Sequence, residues 1–402
     1  MPADLETPRI HRDVRSYLLD GDVILFDRRK TQLFALNSTA SLIWLELEAG
    51  HAATEIAKGL KAETGTTMKQ AAHDVAQVLK QWRKAGVVQS GDASEVDVPS
   101  PNTVETSPSD GRIEIRVRPD TTAVKRVFRL MNAGFRVIVD SEAAAVVDDL
   151  FGHLAAPEEA ARDDWATLEV SRHNGRWALS VDGALLGACD RTSEIGPVIY
   201  RIGSILAYRA SACFAAIHAA AVARDSRCAL LPGPSGTGKS TLTAALVANG
   251  YRYCADDVAV LAGDPLRLFP APLKIGLKHD AWQALEKLWP DLTGLSIHYR
   301  ADGKLLKYLL PGTDQLPGAA ERSLAVTALV FPTYAPGKKT RLRPIARSEA
   351  LIRVAQAGYD LPGSLNEDSV RTLVEWFETL SCYDLRFAKF KQAVGRFAEV
   401  FE

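Results

Sequence analysis

The chain has 402 residues, 47% hydrophobic and 24% charged, with 48 Lys and Arg against 49 Asp and Glu. That length suits two or three folded units, and the composition excludes a wholly disordered, collagenous or membrane-embedded chain. Balanced charge also lacks the basic footprint of nucleic-acid binders, so nucleic acid is not an expected partner.

In chain order, residues 1–14 read as an N-terminal tail with no apolar signal segment. Between 17 and 36, Tyr17, Leu19, Val23, Leu25, Leu33 and Ala35 alternate with polar neighbours around Asp27-Arg28-Arg29-Lys30. The pattern predicts strand, polar turn, strand. Asn37 or Ser38 can cap a helix over 39–48, and Thr54-Glu55 opens another over 55–64. Ala72, Val75, Val78, Leu79 and Trp82 hold helical spacing over 69–85, up to Gly86. A hairpin with three helices makes 15–90 a small α+β, winged-helix-like domain. Residues 91–111, rich in Ser, Asp, Pro, Thr and Glu, read as a flexible linker.

Residues 112–402 form the second domain. Its front part carries strands at 113–117, 166–170 and 177–181 and helices at 122–133 and 141–154. A small-residue helix is expected to end at His218. The run 211–223 is too short for a membrane span, and no membrane is expected as a partner. From there the order is strand, glycine-rich loop, helix over 240–248, and strand over 251–255, which predicts an α/β core. Cys189, Cys213, Cys228, Cys254 and Cys382 are odd in number and form no C-x-x-C pair. They read as unpaired thiols in a reducing cytoplasm.

The loop Gly233-Pro234-Ser235-Gly236-Thr237-Gly238-Lys239-Ser240-Thr241 matches G-x-x-x-x-G-K-[ST]. Glycines suit it because backbone N–H groups must turn inward around a phosphate, in conformations that a β-carbon obstructs. The following helix would point its N-terminus at the same anion. Lys239 is expected at the β- and γ-phosphates, and the Ser240 hydroxyl on Mg2+. Seventeen residues after Lys239 come Asp256 and Asp257, closing an apolar strand. One carboxylate could hold the metal while the other takes a proton from an attacking hydroxyl. Lys278 and Lys307 are candidate charge stabilisers for a transferring phosphoryl group, or else solvated surface lysines. A loop of this kind reads phosphates and not the base, so ATP or another nucleoside triphosphate with Mg2+ is expected.

Taken together, His218-Ala219-Ala220, the loop 233–241 and Tyr253-Cys254-Ala255-Asp256-Asp257-Val258 resemble the HPr serine kinase family, specifically its relatives beside peptide-modifying enzymes. The resemblance implies a P-loop kinase fold over 112–402. It makes Asp256 the catalytic base, His218 its helper, and Ser240 and Asp257 the magnesium-side groups. It also implies a homo-oligomer. Thr241 stands where those kinases usually carry an acidic residue, and their Glu-x-Arg-Gly signature is not found. HPr is therefore not the expected acceptor. Residues 15–90 resemble the PqqD-like peptide-recognition fold, through Leu36-Asn37-Ser38-Thr39-Ala40, Ile43-Trp44 and Asp74-Val75. That resemblance implies docking of a precursor-peptide leader as an added strand at Leu33, Phe34, Ala35 and Leu36, against Val75 and Leu79 of the third helix. Other peptide-modifying enzymes are further expected partners.

Three functions remain open on the sequence. A peptide kinase would phosphorylate a Ser or Thr hydroxyl of the docked peptide. An assembly or chaperone component would hydrolyse ATP while delivering the peptide. A small-molecule kinase would use the N-terminal domain only for regulation. For that domain, a purely structural role or DNA reading by its third helix are the alternatives to peptide docking.

Overall fold

The computed structural model describes residues 8–89, 123–131, 133–209, 213–318, 322–361 and 365–402. The expected linker at 91–111 and strand at 113–117 lie outside them. The chain forms two compact units that do not follow chain order. One gathers Met1–Arg112, Ala346–Ile352 and Ser364–Thr379, and the other Ile113–Ile345, Arg353–Gly363 and Leu380–Glu402.

In the first unit, strands Val14–Leu19, Asp22–Asp27 and Gln32–Ala35 form an antiparallel sheet with Asp22–Asp27 in the centre. The single strand expected before Asp27 is in fact two. Asp20 (φ 56°) and Gly21 (φ 83°) make a two-residue hairpin loop, for which an Asp-Gly pair is a strong local signal. The three expected helices are Ser38–Glu48, Ala53–Thr64 and Met68–Ala85. Asn37 and Thr67 cap the first and third by accepting from the Ala40 and Gln70 amides, while Gly65 and Gly86 end the second and third in the left-handed conformation. Their apolar faces bury Ile43, Trp44, Ile56, Leu60, Val75, Leu79 and Trp82 against Val23 and Leu25. Trp44 and Trp82 meet edge to face, with centroids 5.1 Å apart. Helix Glu367–Glu378 also packs on strand Val14–Leu19, and Glu367 pairs with Arg15 (3.1 Å) and Arg28 (3.2 Å).

The second unit begins with a five-stranded sheet ordered Ala184–Cys189, Arg176–Val181, Thr167–His173, Ala133–Val139 and Val124–Leu130. The expected helix at 122–133 is not there. Phe128 and Leu130 turn inward while Arg129 between them is exposed, a period of two, and Phe128 stands opposite Phe135 in the register. Helices Ser141–Phe151 and Thr192–Arg209 bury their apolar sides in the same core.

A six-stranded sheet forms the centre of this unit, in the order Arg252–Ala255, Ala219–Arg224, Arg227–Pro232, Ala325–Tyr334, Ser381–Phe387 and Arg341–Pro344. Arg227–Pro232 runs parallel to Ala325–Tyr334, which runs parallel to Ser381–Phe387. Ala219–Arg224 is antiparallel to both Arg227–Pro232 and Arg252–Ala255. Four strands therefore point the same way, and their C-terminal ends share one edge of the sheet. The helix expected before His218 is also corrected: Ala215–Ile217 is a buried strand paired with Ala259–Ala262 and Tyr359–Asp360. Small apolar residues there follow the continuous burial of an interior strand, which overrides alanine's helix propensity.

Candidate active site

The loop 233–238 leaves the end of strand Arg227–Pro232 and leads into helix Lys239–Val247. Gly233, Gly236 and Gly238 have φ of 152°, 97° and 95°. A β-carbon on Gly238 would also lie 3.2 Å from the Phe387 ring and 3.3 Å from Tyr334 Cβ. The backbone angle thus requires glycine there, and the space around it is tight.

Lys239, the first helical residue, is buried, and its Nζ donates to the carbonyls of Gly233 (2.5 Å) and Pro234 (3.2 Å). The same Nζ lies 3.2 Å from His218 Nε2. Burial lowers the lysine's pKa, with Asp257 and Asp256 opposing. Burial first, and then the Lys239 charge, lowers the His218 pKa, which keeps that imidazole neutral at pH 7.

Asp256 follows the end of strand Arg252–Ala255 and is 3% exposed. Its Oδ2 accepts from the Gly276 amide at 3.1 Å, whereas the buried Oδ1 makes no hydrogen bond of good geometry. Burial, reinforced by the neighbouring Asp257 charge, pushes the Asp256 pKa up to about 7. The Ser240 hydroxyl, the Gly276 amide and Lys239 pull the other way. Asp257 is exposed, with φ 68°, a conformation that aspartate tolerates better than most residues. Lys278 reaches the loop, its Nζ donating to Ser235 Oγ at 2.8 Å.

These groups line one cavity of about 1180 Å3 within the second unit. His218, Ser240, Thr241, Asp256, Asp257 and Lys278 all face it. Its other walls were not visible in the sequence: Arg201 and Tyr208 of helix Thr192–Arg209, Arg300, and the aromatic group Tyr334, Phe387 and Phe390. No local motif announces them, because they come from segments far apart in the chain.

Two sets of expected site residues lie elsewhere. Lys307 is buried under Trp282, 4.7 Å from that ring's centroid, and donates to the carbonyls of Leu292 (2.7 Å) and Thr293 (3.1 Å). It caps backbone rather than facing the cavity. Val75 and Leu79 are only 1% and 3% exposed, inside the first unit's core, and are not available to a peptide. Leu33, Phe34, Ala35 and Leu36 are half-buried along strand Gln32–Ala35, an outer strand of its sheet.

Among the described residues all five cysteines are free, and no helix is long and apolar enough to cross a membrane. Nor do three or more His, Cys, Asp or Glu side chains gather there as a metal site.

Residues 22–88 match the family of coenzyme PQQ synthesis protein D (PqqD). The N-terminal region is therefore PqqD-like. Among solved structures, TbiB1 in complex with the TbiA(beta) leader peptide is 26% identical, over 21% of this chain and 99% of that one, with a TM-score of 0.20. Lasso peptide synthetase B1 complexed with the leader peptide is 25% identical, over 21% of this chain and 98% of that one, also with a TM-score of 0.20. None of the curated proteins matches this sequence.

Proposed function

We propose that the protein is an ATP- and Mg2+-dependent kinase that transfers the γ-phosphate to a Ser or Thr hydroxyl of a peptide, recruited through its leader by the PqqD-like region. The observation that carries this reading is Asp256. A buried carboxylate whose Oδ1 makes no hydrogen bond of good geometry, with the Ser240 hydroxyl near it, faces the same cavity as Lys239 and its glycine-rich loop. An unpartnered buried polar atom is costly, and such costs persist where a ligand completes the site.

In this reading the amides of 233–238 and Lys239 bind the phosphates. Lys278, already on Ser235, adds a positive charge at the loop. Asp256 Oδ1 accepts the proton of the acceptor hydroxyl as that oxygen bonds to the γ-phosphorus, and the bond from phosphorus to the β-phosphate oxygen breaks to release ADP. Magnesium, held by oxygen atoms of Ser240 and Asp257 and of the nucleotide, would neutralise phosphate charge. His218, neutral at the Lys239 amine, orients that lysine.

For the peptide, the outer edge of strand Gln32–Ala35, which no other strand among the described residues pairs, supports docking by strand addition. The Leu36 amide donates inward to the Val23 carbonyl at 2.9 Å. Alternation along a strand then turns the N–H and C=O groups of Leu33 and Ala35 outward. The opposite edge, Val14–Leu19, packs against helix Glu367–Glu378.

The test is incubation of the full chain with ATP, Mg2+ and a precursor peptide encoded beside it, read by mass spectrometry. A peptide one phosphate heavier supports the reading. ADP and free phosphate with an unmodified peptide would replace it with ATP-driven delivery.

A further inference from the structure

The nucleotide reading leaves the base without a seat, and the strand order of the central sheet supplies one. From the glycine-rich loop at the end of Arg227–Pro232, the acidic pair lies to one side, two strands away on Arg252–Ala255. On the other side the next two strands, Ala325–Tyr334 and Ser381–Phe387, end in aromatic residues at the same edge. Tyr334 and Phe387 are register partners. A nucleotide with its terminal phosphate toward Asp256 would then extend its base toward these rings.

Two contacts tie the rings to the loop, and the rings support one another. The Tyr334 amide donates to the Thr237 carbonyl at 3.0 Å, and a β-carbon on Gly238 would lie 3.2 Å from the Phe387 ring and 3.3 Å from Tyr334 Cβ. Phe387 is fully buried and supports its neighbours, with centroids 5.7 Å from Tyr334 and 5.7 Å from Phe390. The Tyr334 and Phe390 rings lie within 5° of parallel, centroids 6.4 Å apart, and both face the cavity. Tyr334 is 47% exposed, so part of its ring is open to a ligand.

We propose that Tyr334 and Phe390, backed by Phe387, form a stacking platform for the base of a bound nucleoside triphosphate. This rests on the nucleotide-binding reading of loop 233–238. A ring face recognises another ring face, whatever the pattern of donors and acceptors on its edge. The platform accordingly favours purines over pyrimidines by area and separates adenine from guanine poorly.

Calorimetric titration of the full chain tests it, with Mg2+ present and ATP, GTP, CTP and inorganic tripolyphosphate as ligands. Wild type is expected to bind ATP and GTP alike, CTP more weakly and tripolyphosphate weakest. Tyr334→Ala and Phe390→Ala should each weaken ATP by about 5- to 150-fold, the range for loss of one base–aromatic stack. Tripolyphosphate binding should hold, and Tyr334→Phe should restore ATP affinity. ATP affinity unchanged in both alanine variants would remove the platform and leave the nucleotide reading intact. Equal weakening of ATP and tripolyphosphate would mean that the rings merely brace the loop, and also overturns the platform. If wild type binds no ligand of the set, the nucleotide reading fails and the platform with it.

Discussion

Asp256 titrates where a general base is most useful, because burial and Asp257 lift its pKa to about 7. In kcat/KM, transfer should therefore rise with pH toward about 7 and level off above it, as the ionised base becomes the main form of the free enzyme. Asp256→Asn should keep nucleotide affinity and lower transfer by about 10²- to 10⁴-fold, the usual range for a positioned base, with the rise near pH 7 abolished. Lys239→Ala should lose nucleotide binding as well, which calorimetry separates from the first case. The same raised pKa has a stability consequence of opposite sign to the common carboxylate case. Between the unfolded value near 4 and about 7 the folded state binds the extra proton, so stability is full below about 4, falls as pH rises from there, and the loss is complete above about 7. Asp256→Asn removes a buried charge and should raise the thermal midpoint most at pH 8, less at pH 5 and hardly at pH 3, a gain on the order of 2–4 kcal/mol at the upper pH. The loop and the acidic pair were legible because they are contiguous and sit at strand ends. Lys307 was misplaced for the complementary reason: a lone lysine carries no sign of whether it meets phosphate or backbone carbonyls.

Among the elements, the N-terminal sheet offers two tests. Asp27 is fully buried; burial pushes its pKa up, but the hydrogen bonds and charge of Arg29 outweigh that and hold it low. Stability from this pair is present above the unfolded pKa near 4 and is lost as pH falls through the lower folded value. Arg29→Ala should cost about 1–2 kcal/mol at pH 7 in denaturant unfolding, discounted for the partly exposed guanidinium, and the loss should shrink in acid. On the outer strand, Ala35→Pro deletes an outward N–H that the sheet does not use, a placement edge strands tolerate. Leader binding by fluorescence anisotropy should weaken at least about tenfold, given one lost backbone bond and a blocked strand partner, with little change in melting temperature. Undiminished binding would take the leader off this edge. The helices here were legible from period and, at Asn37 and Gly86, from caps, although the second begins at Ala53, ahead of the expected Thr54-Glu55 start; the strand alternation from 17 to 36 was legible too. The turn at Asp20-Gly21 was passed over because apolar residues continue on both sides of it. Val124–Leu130 was misread because a seven-residue run holding Val124, Val127, Phe128 and Leu130 fits both periods until its partner strand is known.

At the scale of the whole molecule, the two units do not share a simple boundary, and this decides which experiment can link docking to transfer. Removing residues 1–90 looks like a clean way to ask whether the N-terminal region matters. It would also strip helix Glu367–Glu378 of the strand it packs on and leave Glu367 without Arg15 and Arg28. A helix that buries Val370, Leu373, Val374, Trp376 and Phe377 would be left partly uncovered, and lost turnover would then report misfolding as readily as lost docking. The informative change is made in the peptide. A leader held on one unit raises the local acceptor concentration to about millimolar for a flexible tether. A peptide lacking its leader should be phosphorylated slowly at micromolar concentration and recover toward the full rate at several millimolar. KM rises and kcat is retained, because the chemistry around Asp256 is untouched. Adding the leader as a separate chain should not restore the lost KM if its role is tethering. Restoration by the separate leader would instead mean that docking switches the catalytic unit on, and equal KM with and without the leader would leave the PqqD-like region with no part in acceptor capture.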